Sequence, residues 1–224
     1  MNYDIIKNEK QLLEFIDWLP DLEVNEKYYV SLFARRKYND AIKGTDKAQL
    51  KRFLSTKELL FSKVKQLECP LDSYLAKDIP APNDSLALYI GINPRGTIKA
   101  AFQTIVTLTQ AIENNVQELN PHSIAMSQIH KSPSRKIFVV FDIDRKDDIE
   151  QTIAVTREVV GAKAAKFIET RGGVHVLIRV NDVVAKNKNW FPELERLLGP
   201  DQMGDLLVPL PGCCQGGFTP KFVG

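Results

Sequence analysis

The fold is decided by residues 136–180, which read KIFVVFDIDRKDDIEQTIAVTREVVGAKAAKFIETRGGVHVLIRV. Unbroken apolar runs between turn residues are typical of buried strands, and apolar residues at helical spacing indicate an amphipathic helix. With the residues that follow, this stretch predicts strand, helix, strand, strand, helix and a last strand, at residues 137–143, 149–160, 164–170, 174–180, 190–198 and 206–210. The predicted order is β-α-β-β-α-β.

That order is typical of ferredoxin-like and RRM-like units, and the chain ahead of it predicts a second, mixed region. The elements expected there are a helix ending at Pro20, a strand at residues 28–34, a long helix at residues 46–67 capped by Thr45, a strand at residues 86–92 and a helix at residues 97–114. The fold class that we predict is α/β (α+β), with an RRM-like unit at residues 131–224 packed on an N-terminal α/β subdomain at residues 1–130.

Composition is that of an ordinary globular protein. The 224 residues are 44% hydrophobic and 26% charged with a net charge of +2, which excludes disordered, fibrous and polycationic classes. Three cysteines in no C-x-x-C spacing form neither a disulfide framework nor a zinc knuckle. The first residues lack a signal-peptide pattern, and no apolar run approaches the roughly 18 residues of a membrane helix. We therefore expect a cytoplasmic protein that does not bind membranes.

Two aspartates end the first strand of the RRM-like unit, in the run Phe141-Asp142-Ile143-Asp144. Because side chains at i and i+2 of a strand leave the same face, both carboxylates project together. Their repulsion is costly beside an apolar core unless a cation lies between them, and Mg²⁺ or Mn²⁺ suits such oxygen ligands. The alternative is a strand that simply ends in solvent, since residues 145–148 are all charged.

His175 opens a strand that should lie close to these aspartates, because the first strand and the hairpin strands of such a unit are close in space. It follows Arg171-Gly172-Gly173, whose glycines permit close backbone approach and whose arginine can meet a phosphate. A lone histidine on an apolar strand can equally be a core residue with a satisfied hydrogen bond.

Two further basic residues are weaker candidates for contacts with a nucleotide or a template. Arg95 lies in a predicted turn, Asn93-Pro94-Arg95-Gly96, ahead of a helix whose N terminus carries unpaired donors. Lys136 lies just before the aspartate strand. The basic stretches at residues 35–37 and 131–136 are candidate patches for a nucleic-acid partner, and a solvated surface is the simpler interpretation of both.

Together these segments resemble the archaeo-eukaryotic primase superfamily. The first motif of that superfamily is a run of apolar residues followed by D-x-D or D-x-E, and the aspartate run matches it. The second motif is a small residue, any residue and then a His that opens a strand, and Gly173-Val174-His175 matches it. For its third motif, an acidic residue on a later strand, Asp205 is our choice and Asp201 the alternative. Residues 210–217, LPGCCQGG, resemble the Pro-Gly-Thr segment of many primase-polymerase domains, with Cys213 where Thr is usual. The resemblance covers residues 136–220.

The resemblance implies a metal-dependent nucleotidyltransferase, DNA primase/polymerase-like, that joins nucleotides on a nucleic-acid template. Asp142, Asp144 and Asp205 would then hold two Mg²⁺ or Mn²⁺ ions. The residues that would bind the nucleotide are His175, Arg171, Gly173, Lys136 and Arg95. Expected partners are nucleoside triphosphates and a single-stranded DNA template or primer-template, with a replicative helicase as a further candidate. Without a zinc module or an attached helicase domain, the sequence favours nucleotidyl transfer more than the starting of chains.

Two other functions would use the same residues. A non-catalytic RRM-like module would bind single-stranded nucleic acid by stacking bases on aromatic side chains. Phe138 and Phe141 lie on opposite faces of their strand and cannot form one platform, which weighs against it. A metal-dependent phosphoesterase would use the same carboxylates without extending a primer.

Overall fold

The structure, a computed structural model, describes residues 1–184 and 189–223. Its helices are α1 (Glu9–Trp18), α2 (Lys57–Lys65), α3 (Thr97–Glu113), α4 (Pro121–His130), α5 (Ile149–Val160) and α6 (Trp190–Leu198). Its strands are β1 (Glu26–Arg35), β2 (Lys47–Ser55), β3 (Leu75–Ala76), β4 (Ile79–Pro80), β5 (Leu86–Gly96), β6 (Phe138–Ile143), β7 (Ala165–Glu169), β8 (Val174–Arg179), β9 (Gln202–Gly204), β10 (Leu207–Pro209) and β11 (Lys221–Val223). Antiparallel sheets and helices confirm the predicted α+β class. Within the described ranges, no helix is long and apolar enough to cross a membrane.

Two large sheets carry the architecture. Sheet I has the strand order β10-β5-β1-β2, and sheet II has the order β11-β7-β8-β6-β9. A strand is present within the predicted residues 206–210, as Leu207–Pro209, but it is wrong as the last strand of the RRM-like unit. It pairs with β5 in sheet I, whereas Gln202–Gly204 pairs with β6 in sheet II. The apolar run indicated a buried strand and did not indicate which sheet the strand joins. Asp205 lies where the chain crosses between the sheets.

The long helix predicted at residues 46–67 is wrong in its first half. Residues Lys47–Ser55 form an edge strand of sheet I, paired with β1, and α2 begins only at Lys57. Exposed and partly buried residues alternate along the first half of β2, which is the period of two of a strand. Leu50, Phe53 and Leu54 also fit helical spacing, so the apolar pattern alone did not distinguish the two structures.

Strand β5 continues through the turn that was predicted at residues 93–96. Pro94 cannot donate a ladder hydrogen bond and is tolerated in strands mainly at edges and bulges. The pairing of β1 with β5 shifts register between Lys27 and Tyr29, which accommodates this segment as a bulge. The strand then ends at Gly96, and α3 begins at once.

Two apolar cores lie on the two faces of sheet II. Phe138 and Val140 of β6 belong to the first core, which is shared with sheet I, α1 and α2. Phe141 and Ile143 belong to the second core, which α5 and α6 cover. Because side chains alternate along a strand, Asp142 continues the face of Val140, at the end of the first core.

Residues from both predicted subdomains contribute to the first core. The rings of Phe15 and Trp18 in α1 lie 5.3 and 5.1 Å, between centroids, from the ring of Phe222 in β11. The division into residues 1–130 and 131–224 stays a prediction, and its two parts share one apolar core.

Asn93 joins the two sheets through its fully buried side chain. Its Oδ1 accepts hydrogen bonds from the backbone N–H groups of Ile137 and Phe138, at 2.9 and 2.8 Å. Its Nδ2 donates to the Phe138 carbonyl at 3.0 Å and to Asp205 Oδ1 at 2.9 Å. One amide on β5 therefore fixes the start of β6 and the segment that follows β9.

We expect Asn93→Ala to lower the free energy of unfolding by about 3 kcal/mol, because it leaves buried backbone groups without partners. Urea denaturation followed by circular dichroism measures this loss. Gln103→Ala, on the exposed surface of α3, serves as the control and should change stability by less than about 0.5 kcal/mol. A loss as small as the control's would show that the amide does not join the sheets.

Candidate active site

Asp142 and Asp144 lie at the end of β6 beside residues of two neighbouring strands. Asp142 pairs with His175 of β8 on one side and with Gln202 of β9 on the other. His175 Nε2 lies 3.1 Å from Asp142 Oδ1. The Asp201 N–H donates to the Asp142 carbonyl at 2.9 Å, and the Asp144 N–H donates to Asp201 Oδ2 at 2.8 Å. We call Asp142, Asp144 and Asp201 the acidic cluster.

Electrostatics at the acidic cluster are unbalanced. Burial, followed by the charges of Asp144 and Asp201, raises the pKa of Asp142 to about 6. Burial, followed by the charge of Lys37, lowers the pKa of His175 to about 4, so the imidazole is neutral at pH 7. His175 Nδ1 is buried and has no hydrogen-bond partner among the described residues. A neutral ring beside Asp142 does not compensate the negative charge of the cluster.

Two residues of the cluster, Asp142 and Asp144, open into a cavity of about 370 Å³ between the two sheets, which Asp201 does not line. Asp142, Asp144 and His175 form part of one side of this cavity. Three basic side chains, which we call the basic wall, line it from β1, the loop after β1 and the first residue of β2: Arg35, Lys37 and Lys47. One cavity therefore combines grouped carboxylates with grouped cations.

The basic wall was not predicted as part of a site. Residues 35–37 were a candidate basic patch for which a solvated surface was the favoured interpretation, and Lys47 gave no signal. Arg35 is held in place, since its Nη1 donates to the Tyr89 hydroxyl at 3.0 Å. Lys37 and Lys47 are exposed, and within the described ranges neither forms an ion pair. They are the cations of the wall that a bound anion can attract.

Gly172 and Gly173 allow the hairpin between β7 and β8 to approach the end of β6. A Cβ on Gly172 would lie 2.6 Å from Asp144 Oδ1, and a Cβ on Gly173 would lie 2.0 Å from the Ile143 carbonyl oxygen. Neither distance is possible for a real side chain. Gly172 lines the cavity, and Gly173, which was predicted to bind the nucleotide, packs behind it.

Two other predicted residues lie outside the cavity lining. Arg171 Nη1 donates to the Gly216 carbonyl at 2.6 Å, and its guanidinium lies 4.8 Å from the centroid of the Tyr38 ring. Lys136 is exposed, and its side chain does not line the cavity. Arg171 therefore joins the hairpin to the C-terminal segment, and the structure does not bring Lys136 to the acidic cluster.

Arg95 and Asp205 form a pair at the edge of the cavity. Arg95 is fully buried, and its two terminal nitrogens bond to both carboxylate oxygens of Asp205. Gly91 makes room for this guanidinium, since a Cβ there would lie 2.6 Å from Arg95 Nη2. A nucleotide contact by Arg95 would require the pair to break. Of the two candidates for a third carboxylate, Asp201 accepts the Asp144 N–H but does not line the cavity, and Asp205 lines the cavity but is paired with Arg95.

The residue types at the cluster fit a hard divalent cation. Among the described residues, no group of three or more His, Cys, Asp or Glu side chains is already arranged around one metal position. The carboxylates of Asp142 and Asp144 nevertheless supply the oxygen ligands that Mg²⁺ and Mn²⁺ prefer. Burial is the main cause of the raised pKa of Asp142, and a cation there would relieve the second cause, the repulsion from Asp144 and Asp201.

Comparison with known proteins leaves the family of this chain open. No protein-family model, curated protein or solved structure gives a significant match. The function is therefore argued from the geometry of the cavity and from the motifs in the sequence.

We expect Asp142→Asn to raise the melting temperature of the chelator-treated protein at pH 7.5 and to change it little at pH 4. The carboxyl has a folded-state pKa of about 6 and an unfolded value of about 3.9. Ionisation of this carboxyl therefore destabilises the folded state, and this loss of stability grows as the pH rises through the window between the two values. The expected gain at pH 7.5 is about 5 °C, measured by differential scanning fluorimetry. Asp147→Asn, at an exposed position, should show no such dependence, and an equal gain for Asp142→Asn at both pH values would contradict the assigned pKa.

Divalent cation should remove this penalty in the unsubstituted protein. We expect about 5 mM MnCl₂ to raise its melting temperature at pH 7.5. The rise should be much smaller at pH 5, where Asp142 is mostly protonated. Asp142→Asn should abolish the Mn²⁺ response and Asp147→Asn should retain it. A response of equal size in both variants would place the cation elsewhere.

Proposed function

We propose that this protein is a metal-dependent nucleotidyltransferase of the primase-polymerase type, which joins nucleotides on a nucleic-acid template. The observation that carries the proposal is one cavity of about 370 Å³ with Asp142 and Asp144 on one side and the basic wall on another. A nucleoside triphosphate requires both, because divalent cations bridge carboxylates to phosphates while lysine and arginine neutralise the remaining phosphate charge.

The strand arrangement supports an RRM-like palm as part of this proposal. Elements β6, α5, β7, β8, α6 and β9 follow one another in the order β-α-β-β-α-β, and their strands lie side by side as β7-β8-β6-β9. Asp142 and Asp144 lie at the end of the central strand β6, and His175 is the second residue of the neighbouring strand β8. This placement agrees with the first two motifs of the archaeo-eukaryotic primase superfamily, and membership in that superfamily is part of the proposal.

In this proposal Asp142, Asp144 and Asp201 hold one or two Mg²⁺ or Mn²⁺ ions. Such ions, when bound, neutralise phosphate charge and make the attacking hydroxyl more acidic. Asp205 was the first choice for the third carboxylate on sequence grounds, but its pairing with Arg95 favours Asp201.

His175 has the role of orienting Asp142. Its Nε2 lies 3.1 Å from the Asp142 carboxylate, and only 7% of the residue is exposed. A ring with a pKa of about 4 carries no charge at pH 7, so it cannot attract a phosphate as a cation. It can donate one hydrogen bond that fixes the carboxylate, which is a positioning role.

Lys37 and Lys47 are proposed to bind the triphosphate. Their ammonium groups lie 5.4 and 5.7 Å from the ring centroids of Tyr38 and Phe33, which hold the long side chains beside the cavity. Lys37 lines the same cavity as Asp142 and His175, and its charge offsets a small part of the rise in the pKa of Asp142.

The first test is primer extension on a single-stranded DNA template with Mg²⁺ or Mn²⁺, run separately with ribonucleotides and deoxyribonucleotides. We expect the unsubstituted protein to extend the primer. The double variant Asp142→Asn/Asp144→Asn should abolish extension, because it removes the proposed metal ligands. Asp17→Asn/Asp147→Asn removes the same charge from exposed positions and should keep the activity.

Each alternative predicts a different result in the same assay. A non-catalytic nucleic-acid-binding module would bind the template equally well with and without the metal and would extend nothing. A phosphoesterase would release product from the nucleotide or the nucleic acid without lengthening the primer. Extension that survives in the Asp142→Asn/Asp144→Asn variant would reject the proposed metal ligands.

The basic wall is tested by Lys37→Ala and Lys47→Ala. We expect each to raise the KM for the nucleotide about tenfold with a smaller change in kcat, because each removes a charge-assisted phosphate contact of about 1.4 kcal/mol. Lys10→Ala, on the exposed side of α1, is the matched control. Steady-state kinetics on a fixed primer-template measures both constants, and an unchanged KM would assign the two lysines to solvent.

A further inference from the structure

Helix α3 exposes an apolar stripe. Four of its large side chains, Ile98, Phe102, Ile105 and Ile112, are 66%, 63%, 63% and 66% exposed. Exposed apolar residues are common singly, but a continuous row on one helix face marks an interaction surface. No other element within the described ranges covers this row.

The opposite face of α3 already has a partner. Ala100 is buried, and the Thr107 hydroxyl accepts a hydrogen bond from Gln128 Nε2 of α4 at 3.0 Å. Helix α4 therefore packs against one side of α3 and leaves the apolar stripe on the other side.

The stripe has the spacing of a coiled-coil seam. Its positions are separated alternately by four and three residues, a 3.5-residue repeat that keeps one narrow face against another helix. These positions are Ile98, Phe102, Ile105, Thr109 and Ile112. The surface that fits such a seam is a second helix with the same repeat.

Charge determines which helix fits. Lys99 and Glu113 are the charged residues of α3; they have opposite signs, lie near opposite ends of the helix and are both exposed. A parallel copy of α3 would place like charges together. An antiparallel copy would place Lys99 beside the partner's Glu113 at both ends, which is attractive.

The apolar residues match in the same antiparallel arrangement. In an antiparallel pair, residues that face each other have the same average position. Positions 102 and 112 average 107, as do positions 105 and 109. Phe102 therefore faces the partner's Ile112, and Ile105 faces the partner's Thr109. Positions 99 and 113 average 106, one position away from the centre of the apolar pairs. Such a small offset is expected because Lys99 and Glu113 flank the seam and do not lie in it. One register therefore satisfies the apolar and the charged residues together, as a two-fold interface requires.

We propose that two copies of this chain associate through the apolar stripe of α3, paired antiparallel about a two-fold axis that crosses the stripe between Ile105 and Thr109. The helix is about 25 Å long, so the interface is small and the dimer reversible, with a dissociation constant of about 1–100 µM. The pairing surface faces away from α4, whose His130 lines the cavity. Dimerisation therefore leaves the cavity open and does not depend on the proposed function.

Sedimentation velocity of the full chain from about 1 to 200 µM, a range that spans the expected dissociation constant, tests the proposal at low salt. We expect a monomer–dimer equilibrium. Ile105→Gln should abolish the dimer while leaving the circular dichroism spectrum unchanged, and Lys10→Glu, on the exposed side of α1, should retain it. A monomer throughout the range, or a dimer that Ile105→Gln does not weaken, would overturn the proposal.

Charge exchange tests the antiparallel register. Lys99→Glu and Glu113→Lys should each raise the dissociation constant about tenfold, because each replaces two attractions by two repulsions. The double variant Lys99→Glu/Glu113→Lys should restore dimerisation to near the original constant. Failure of the double variant to recover would reject the antiparallel pairing, and none of these results depends on nucleotidyltransferase activity.

Discussion

The four hydrogen bonds of Asn93 are the interaction on which the rest of the structure depends. They join β5 of sheet I to the start of β6 in sheet II and to Asp205 after β9. Apolar packing between the sheets is non-directional and would allow β6 to slide. A buried amide with defined donors and acceptors does not allow β6 to slide, because any slip leaves hydrogen-bonding groups unpaired at a cost of about 1–3 kcal/mol each. The position of the acidic cluster follows from this joint, since Asp142 and Asp144 end the same strand.

The acidic cluster is assembled at an energetic cost to the fold. Asp142 is half-buried beside two other carboxylates, and its pKa rises to about 6 as a result. The hairpin glycines make the crowding possible, since any side chain at Gly172 would displace the Asp144 carboxylate. Sites that hold local charge in an unfavourable state are frequently functional, because a ligand or cation supplies the missing compensation. Lys37, across the cavity, compensates only part of the charge.

Features that depend on neighbours in sequence were predicted well, and features that depend on pairing across the chain were not. The aspartate strand and the hairpin before His175 follow from local apolar runs and glycines. Residues 47–55 fit both a helical and a strand period, and only their pairing with β1 selects the strand. The partnership of Arg95 with Asp205 joins residues 110 positions apart, for which one sequence carries no signal. The position of Lys47 at the cavity was missed for the same reason, because it depends on the pairing of a strand that was predicted as a helix.

The pairing of Arg95 with Asp205 also bears on which carboxylate completes the acidic cluster. Arg95 is fully buried, so moving Asp205 toward a metal ion would leave a guanidinium unpaired in the interior, which costs about 3–5 kcal/mol. Asp201 accepts a backbone N–H from Asp144, which leaves its full charge at the cluster, where it raises the pKa of Asp142. A cation at Asp142 and Asp144 would therefore gain the attraction of Asp201 without breaking an ion pair. Asp205 instead fixes the wall of the cavity, because it ties Arg95 and Asn93 to the crossing between the two sheets.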